Sequence, residues 1–374
     1  MKGRQNILFL TLHTFSLTGG IEKVNRALTK VLDNLTKDFK IGSYQSLSMY
    51  DDKVDAAYSK AANFKGFQGK RVTFAFSALC QGLKADVVIL SHINLLIFAK
   101  LIKKIKPKIR VAVLAHGIEV WRDLPAWKIK FLSQCEIWAV SRFTAKKISG
   151  KFHIPSKNIN ILNNCLDPYF KIPTSFEPSE TLLAKYQLQP TQAIIYTLAR
   201  LSSTEQYKGY DLVIKSMVDV IKVLPNAHYL LAGKADVMEH QRLSVLIKSL
   251  KLQKHVTLAG FITDEEVQTH YTTASVFAMP STGEGFGISF IEAASCGCPV
   301  IGGNLDGSTD ALLDGKLGKL INPTADGELS KAIIDQLQIA KTIASAQKLQ
   351  QTCLTHFSFN RYQENVDQLL HLPA

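Results

Sequence analysis

Two glutamates stand eight positions apart around a glycine-rich segment, in the run STGEGFGISFIEAASCGCPVI at 281–301. Glu284 precedes a predicted turn, and Glu292 lies in the helix predicted to follow it. Such a turn leaves the amides of 285–287 at the N-terminus of the helix, where partial positive charge and unpaired N–H groups favour an anion. The segment therefore predicts a site for a phosphate or a sugar phosphate.

Two cations precede this segment, within TLARLSSTEQYKGYDLVI. Arg200 follows a strand predicted at 193–199 and Lys208 opens the next predicted helix, so both can reach the crevice outside the carboxyl ends of a parallel sheet. Arg offers a planar fork and Lys a compact charge to phosphate oxygens. Acids and cations in one site fit a nucleotide sugar, because its hydroxyls donate to carboxylates while cations hold its diphosphate.

In this order, Arg200, Lys208, Glu284 and Glu292 resemble the donor site of the retaining family-four glycosyltransferases of GT-B fold, the bacterial group 1 glycosyltransferases. The likeness includes EGFG, the RL-x(6)-KGYD segment, the N-terminal TGGIEK and the HG pair that begins at His116. It covers nearly the whole chain. The stretch GGNLDGSTDALLDGKLGKLINP further resembles members that transfer hexoses, mannose among them, to lipid-linked saccharides.

The resemblance implies an α/β protein with two doubly wound Rossmann-like domains facing a central cleft and a C-terminal helix crossing back to the first domain. We expect an acceptor-binding domain at 1–170, a nucleotide-sugar domain at 171–355 and the returning helix at 356–374. The residues support this independently, because strands and helices alternate in both halves and 374 residues exceed the usual single core. In the first half, for example, the apolar pattern predicts a helix at 21–35 and strands at 40–47 and 110–115. A stretch with poor periodicity at 165–185 predicts the linker.

The resemblance also assigns roles to individual residues. It gives the ribose hydroxyls to Glu292, the transferred sugar to Glu284, the diphosphate to the cations, and a place near the reacting sugar to His116. The nucleotide base is expected on backbone near Gly233 and 260–263. The predicted catalytic residues are His116, Arg200, Lys208 and Glu284, and the predicted donor-binding residues are Gly19, Gly20, Gly233, Phe261, Ile262, Gly285, Phe286, Gly287 and Glu292.

Simpler interpretations of these residues stay open. Gly19 and Gly20 could form an ordinary turn, and His116 could be a structural histidine. Glu284 could cap a helix, while Glu292 could lie on a solvated helix face, although its neighbours are mostly apolar or small. The fingerprint G-x-G-x-x-G is absent.

Charge is divided unequally along the chain. Residues 1–180 hold 28 Lys and Arg against 13 Asp and Glu, whereas residues 181–374 hold 16 against 18. The basic segments at 97–110 and 65–84 carry apolar residues as well, which predicts either a solvated outer face or docking to an anionic membrane. No nucleic acid is expected, because no nucleic-acid-binding motif accompanies the charge. The apolar run near the N-terminus is interpreted as a first β-strand. We predict a cytoplasmic protein that binds peripherally to the inner face of the membrane.

The sequence thus predicts a retaining glycosyltransferase of polysaccharide biosynthesis. Its donor would be GDP-mannose or a UDP-hexose such as UDP-glucose, and its acceptor a hydroxyl of a lipid-linked or cell-surface saccharide. No cofactor and no metal are expected, because fixed cations can meet the diphosphate and the six cysteines lack metal-site spacing. The alternatives are a catalytically silent sugar-nucleotide or lipid-binding scaffold, a phosphorylase with pyridoxal phosphate, and an epimerase.

Overall fold

The computed structural model describes residues 4–372, and the chain forms two compact units. The first unit contains the residues up to Tyr169 together with those from Phe357 onward, and the second is Phe170–His356. Each unit is built on its own parallel sheet, which confirms the doubly wound α/β architecture predicted for both halves.

Among the described residues, the sheet of the first unit has seven strands, all paired in parallel, in the order β3-β2-β1-β4-β5-β6-β7. The strand order changes direction between β1 and β4, the type of position at which doubly wound sheets bind ligands. The strands are β1 (Asn6–Thr11), β2 (Ser43–Ser48), β3 (Phe64–Gly66), β4 (Val87–Leu90), β5 (Arg110–Ala115), β6 (Glu136–Ala139) and β7 (Ile159–Ile161).

The helices of the first unit cover its sheet and bury apolar residues against it. In α1, for example, Val24, Leu28, Val31 and Leu35 are buried at helical spacing. The helices are α1 (Gly20–Lys37), α2 (Arg71–Lys84), α3 (Leu96–Ile105), α4 (Ile118–Trp121), α5 (Ala126–Leu132), α6 (Arg142–Phe152) and, after the second unit, α15 (Phe359–Leu369).

Within the described chain, the sheet of the second unit has six parallel strands in the order β10-β9-β8-β11-β12-β13, with its change of direction between β8 and β11. Two of its inner strands, at 227–232 and 276–279, are buried along their whole length and mostly apolar, as expected of strands covered on both faces. The strands are β8 (Ala193–Leu198), β9 (Ala227–Ala232), β10 (Val256–Gly260), β11 (Val276–Met279), β12 (Val300–Gly303) and β13 (Lys319–Ile321). The helices are α7 (Glu180–Lys185), α8 (Tyr210–Val223), α9 (Val237–Ser249), α10 (Asp264–Thr273), α11 (Ile288–Ser295), α12 (Ser308–Ala311), α13 (Glu328–Gln338) and α14 (Ile343–Phe357).

The last helix, α15, packs against the first unit through both apolar and polar contacts. Tyr362 and Val366 are buried, and the Lys40 ammonium lies 2.8 Å from a carboxylate oxygen of Asp367. The Arg110 guanidinium donates to the carbonyl of Leu369 at 3.0 Å. These contacts place the end of the described chain in the unit that contains its beginning, as the fold class predicts.

Some predicted elements differ from the structure. The strand expected at 40–47 begins only at Ser43, because the chain turns after α1 at Phe39, whose φ is +55°. Part of the predicted linker is the helix α7, which begins where the Ser179 hydroxyl accepts from the amide of Leu182 at 3.3 Å. Short 3₁₀ helices lie at Ala61–Asn63, Ile93–Leu95, Ser156–Asn158, Gln206–Lys208 and Leu313–Gly315.

Across residues 4–372, none of the helices has both the length and the apolar composition that a bilayer span requires.

Candidate functional site

The second unit brings three of the predicted residues to the carboxyl ends of two neighbouring strands. Arg200 and Lys208 follow β8, and Glu284 follows β11. The Lys208 ammonium makes an ion pair with Glu284, and both side chains are largely buried. Glu205 joins the group, because its carboxylate lies 3.1 Å from Nε of Arg200 and 3.9 Å from Nζ of Lys208. The Arg200 side chain is 68% exposed, which leaves its guanidinium accessible to a ligand.

The environment of Lys208 keeps its ammonium charged. Burial would lower the pKa of Lys208, but the charge of Glu284 opposes burial, helped by Tyr207 and Glu205, and the net pKa is raised above its ordinary value. Burial raises the pKa of Tyr207 to about 12, so that ring stays a neutral phenol beside the ammonium, 5.5 Å from its centroid. Lys208 is therefore a permanent positive charge on a site wall that is partly shielded from water.

The loop that carries Glu284 is fixed by Asp306, which follows β12 and which the sequence did not single out. The buried Asp306 carboxylate accepts from the amide of Glu284 at 2.7 Å, from the hydroxyl of Ser281 at 2.8 Å and from the amide of Ser308 at 2.9 Å. Burial raises the pKa of Asp306, and these donors act against that rise. Gly307 completes the contact, since a Cβ there would lie 2.0 Å from the carbonyl oxygen of Gly285.

A second buried acid, Glu239 on α9, holds the loop that carries Arg200 and Lys208. Its carboxylate accepts two hydrogen bonds from Arg242, at 2.7 and 2.9 Å, and one from the hydroxyl of Tyr210 at 2.6 Å. The same Tyr210 hydroxyl lies 3.1 Å from the carbonyl oxygen of Ser202 in the loop. The pKa of Glu239 is lowered, mainly by Arg242, so the carboxylate stays ionised and the loop is tied to α9.

The segment between the two predicted glutamates ends at α11, which begins at Ile288. Among the described residues, the amides of Gly285 and Gly287 donate to no protein oxygen, so both N–H groups are available at the start of the helix. Glu292 lies inside α11 with only 2% of its surface exposed, and the Tyr271 hydroxyl donates to its carboxylate at 3.4 Å. The solvated helix face considered for Glu292 is therefore not what the structure shows. Phe286, which is also predicted to bind the donor nucleotide sugar, is buried.

The residues predicted to receive the nucleotide base lie at the ends of β9 and β10. The amide of Gly233 donates to the carbonyl of Gly260 at 2.8 Å, and a Cβ at Gly233 would come within 1.7 Å of the Ala199 carbonyl oxygen. Close packing against β8 therefore requires a glycine at this position. Phe261 is 60% exposed, whereas Ile262 next to it is buried. Within 260–263, Phe261 is therefore the large apolar side chain that is exposed at this edge of the sheet.

In the first unit, the loop between β1 and α1 carries Gly19 and Gly20 to the change of strand direction. Gly19 caps α1 and would collide with Glu22 if it had a Cβ, while the position of a Cβ on Gly20 is open space. Asp51, after β2, fixes the loop, because its buried carboxylate accepts from the amides of Thr14 at 2.7 Å and Ser16 at 2.9 Å. Nothing near Asp51 in the sequence indicates this contact.

His116 follows β5, and its ring is held by the neighbouring strand. Its Nε2 lies 2.9 Å from the carbonyl oxygen of Ser91, which follows β4. Since a carbonyl can only accept, Nε2 carries the proton and Nδ1 of the neutral ring is left as an acceptor. The backbone amides of His116 and Gly117 donate to the Glu119 carboxylate at 2.6 and 3.2 Å. The sequence analysis did not single out four acids that hold these loops, namely Asp51, Glu119, Glu239 and Asp306.

Comparison with known proteins gives a family match in the second unit. Residues 178–352 match the family model "Glycosyl transferases group 1". A GDP-mannose-dependent alpha-(1-6)-phosphatidylinositol monomannoside mannosyltransferase of Mycolicibacterium smegmatis is 27% identical over 243 residues, which are 61% of this chain and 61% of that protein. An alpha-monoglucosyldiacylglycerol synthase of Acholeplasma laidlawii is 28% identical over 203 residues, 54% of this chain and 48% of the relative. The chain thus spans less than two thirds of the length of these relatives.

Solved structures match over almost the whole chain. The complex of Anabaena Alr3699/HepE with UDP and glucose has a TM-score of 0.75 at 17% identity, covering 98% of this chain and 99% of that one. At this identity the likeness concerns the fold alone, and it confirms the predicted architecture of two Rossmann-like domains.

Proposed function

We propose that the protein transfers a hexose from a nucleotide diphosphate sugar to a hydroxyl of a saccharide acceptor, on the premise that residues 178–352 match the family model for group 1 glycosyl transferases. The observation that carries the proposal is the paired group at the carboxyl edge of β8 and β11. Lys208 and Arg200 offer positive charge there, and Glu284 offers a carboxylate beside them. This combination matches the two halves of a nucleotide sugar, an anionic diphosphate and a neutral sugar.

The chemistry assigned to these residues is stabilisation of the leaving group. The bond between the anomeric carbon and the diphosphate breaks, the acceptor oxygen bonds to that carbon on the same face, and the acceptor proton leaves with the diphosphate. Negative charge grows on the departing oxygen, where Lys208, Arg200 and the amides near α11 are already oriented. We propose that no metal and no cofactor take part, because fixed positive charge is in place for this step.

Binding of the donor gives Lys208 a second partner. In the structure, the ammonium pairs with Glu284, yet an ammonium has three N–H donors and can hold a phosphate oxygen as well. Glu284 then accepts from sugar hydroxyls while its loop stays fixed by Asp306. We propose GDP-mannose as the first donor to test, since the mannosyltransferase relative is named for it, and UDP-glucose as the second, since the structural neighbour contains UDP and glucose.

A thermal-shift panel with GDP, UDP, ADP and their sugars tests the proposal. We expect one nucleotide to raise the melting temperature well above the others, because a ligand at a hundredfold excess over its Kd stabilises the native state by about 3 kcal/mol. Turnover of the matching donor should be unchanged by EDTA. A shift without any turnover would instead indicate the catalytically silent scaffold, and a panel without any shift would contradict the proposal.

We further propose that the acceptor is lipid-linked and that the first unit docks on an anionic membrane. The helices α2 and α3 pack together through Phe74 and Phe98, whose ring centroids lie 5.1 Å apart. Several large apolar side chains on these two helices are exposed to solvent. Val72 is 84% exposed, Phe76 70% and Ile105 63%. Exposed lysines flank them, so apolar contact and charge both fit a bilayer surface rich in anionic lipid. The docking face consists of Val72, Phe76, Leu83, Ile97, Leu101, Ile105, Lys100, Lys104 and Lys108.

Not every lysine of the basic segment belongs to this face. The Lys103 ammonium donates to the carbonyl of Ile109 at 3.0 Å, and that of Lys106 to the carbonyl of Ala85 at 2.5 Å. These two lysines fasten the end of α3 to the unit. A test of membrane docking should therefore change the exposed lysines and leave Lys103 and Lys106 intact.

The double variant Lys104→Gln/Lys108→Gln should bind vesicles of phosphatidylcholine and phosphatidylglycerol at least about tenfold more weakly, because each basic residue near an anionic surface contributes about 1 kcal/mol. Co-sedimentation measures the bound fraction. The double variant Lys248→Gln/Lys254→Gln, with the same charge change on exposed residues of the second unit, is the control and should bind as the parent does. Equal loss in both variants would show that net charge, and not this face, governs binding.

A further inference from the structure

A second group of polar side chains lies at the carboxyl ends of β4 and β5, beside His116 and in the first unit alone. His92 follows β4, and its Nδ1 accepts from the amide of Asn94 at 3.0 Å. The neutral ring of His92 therefore carries its proton on Nε2. In the part of the chain that the structure describes, Nε2 of His92 has no hydrogen-bond partner. Nε2 of His92 is therefore a hydrogen-bond donor that has no acceptor within the described residues. In the neighbouring His116, Nδ1 is an acceptor that has no donor there.

A lysine from α5 completes this group. The ammonium of Lys128 donates to the side-chain oxygen of Asn94 at 3.0 Å, so His92 and Lys128 are joined through one residue. The ring of Trp127 lies under two ammonium groups, with Nζ of Lys100 5.0 Å and Nζ of Lys128 5.9 Å from its centroid. Burial lowers the pKa of Lys128, which indicates an ammonium partly removed from water.

The positive charges of this group have no carboxylate of their own. Within residues 4–372, neither Lys128 nor the exposed Arg122 has a carboxylate oxygen within 4 Å. The nearby acids are engaged elsewhere, since Glu119 accepts from two backbone amides and Asp123 lies 2.8 Å from Nζ of Lys151. Burial lowers the pKa of His92, and the charge of Glu119 opposes that shift. Arg122 directly follows α4, the short helix that begins after His116 and Gly117, so it belongs to the same segment at the carboxyl end of β5.

We propose that His92, Arg122 and Lys128 form a phosphate subsite for the acceptor, so that the acceptor of the proposed transfer is a phosphate-bearing molecule. The inference rests on the proposed function for the identity of the reaction. Phosphate oxygens accept from Nε2 of His92, from the ammonium of Lys128 and from the guanidinium of Arg122. Nδ1 of His116 then accepts from the hydroxyl that is to be glycosylated.

The phosphate can belong to a lipid headgroup or to a soluble phosphate ester, and the structure favours a lipid. Trp127 joins Lys128 of the subsite to Lys100 of the docking face, because both ammonium groups lie on its ring. Ile97 and Leu101 of that face lie on the same helix as Lys100, and both are exposed. Lys100 and Lys128 therefore place positive charge between the docking face and His92, where the phosphate of a lipid headgroup can bind.

The test measures phosphate binding directly, in the absence of any donor. Histidine imidazole NMR signals are followed while the full-length protein is titrated with glycerol phosphate, with glycerol as the uncharged control. We expect the His92 signals to shift with glycerol phosphate and not with glycerol. Lys128→Gln should weaken this binding about tenfold, because one charge-assisted hydrogen bond is lost. Lys130→Gln, an exposed lysine on the same helix, should bind like the parent.

Vesicles of phosphatidylcholine with or without phosphatidic acid distinguish the two sources. A His92 shift that is larger with phosphatidic acid vesicles than with glycerol phosphate at equal phosphate concentration assigns the subsite to a lipid headgroup. An equal or smaller shift with the vesicles assigns it to a soluble ester. Unmoved His92 signals in all titrations, or equal weakening in Lys128→Gln and Lys130→Gln, would overturn the subsite. Such a result would leave the nucleotide panel untouched, since that panel reports on the second unit and needs no acceptor. Melting curves of both variants establish that they are folded.

Discussion

Replacing Lys208 with alanine should lower turnover about a hundredfold or more, the loss typical of removing one fixed charge or donor that stabilises a departing oxygen. Lys208 is the buried cation at the carboxyl edge of β8, and Glu284 keeps its ammonium charged. The effect should be on kcat more than on KM, because the leaving diphosphate gains charge only as the bond breaks. Steady-state kinetics with the donor identified by the nucleotide panel measure both constants.

Two further variants separate the diphosphate role from other causes. Lys215→Ala removes a lysine that lies on α8, 3.6 Å from Asp211, and should leave turnover near the parental value. The double variant Lys208→Ala/Glu284→Gln removes both charges of the central pair. The diphosphate is then not repelled by a Glu284 carboxylate that has lost its ammonium partner. If Lys208→Ala fails only because Glu284 then repels the donor, the double variant will recover turnover. Recovery, or unchanged turnover in Lys208→Ala itself, would count against Lys208 as the diphosphate cation.

Asp306→Ala should destabilise the protein by about 3 kcal/mol, because a buried carboxylate with three donors is removed and those donors lose their acceptor. The change also frees the amide of Glu284, so the loop that positions this carboxylate loosens. We therefore expect turnover to fall by more than the loss of folded protein explains. Urea denaturation gives the free energy of unfolding, and assays at low temperature, where the variant is folded, give turnover.

The matched control for Asp306 is Asp326→Ala, an exposed aspartate in the same unit. It should change neither the free energy of unfolding nor turnover by a measurable amount. If Asp306→Ala melts and turns over like this control, the three hydrogen bonds do not hold the Glu284 loop in solution. If it is destabilised but fully active when folded, Asp306 stabilises the unit without positioning Glu284.

The fold was largely predictable because its signals are local. The strand predicted at 110–115 is β5 (Arg110–Ala115), and the helix predicted at 21–35 is α1 (Gly20–Lys37). Long buried strands and amphipathic helices repeat their pattern over several residues, so single sequences reveal them. The strand β3 (Phe64–Gly66) has only three residues, too few to show any period, and was not predicted. Lys208 lies in a 3₁₀ turn rather than at the start of α8 for a similar reason, because the turn is only three residues long.

The closeness of candidate site residues was predictable where each of them follows a strand. Arg200 and Glu284 could be placed together because neighbouring parallel strands end at the same edge of a sheet. Asp306, Glu239 and Asp51 were not predicted, because each acts on backbone or side chains more than twenty residues away in the sequence. A lone buried acid leaves no pattern by itself. Its role depends on which loop the finished fold brings to it.

The position of α15 in the sequence also fixes the order in which the two units can be completed. Residues 359–369 follow the whole of the second unit, yet they cover α1 and the start of β5 in the first. During synthesis, all strands of the second sheet are therefore made before α15, the last helix of the first unit. A polypeptide released at Tyr169 contains seven strands but leaves the surface beneath Tyr362 and Val366 in water. The first unit is therefore completed only after the whole second unit has been synthesised.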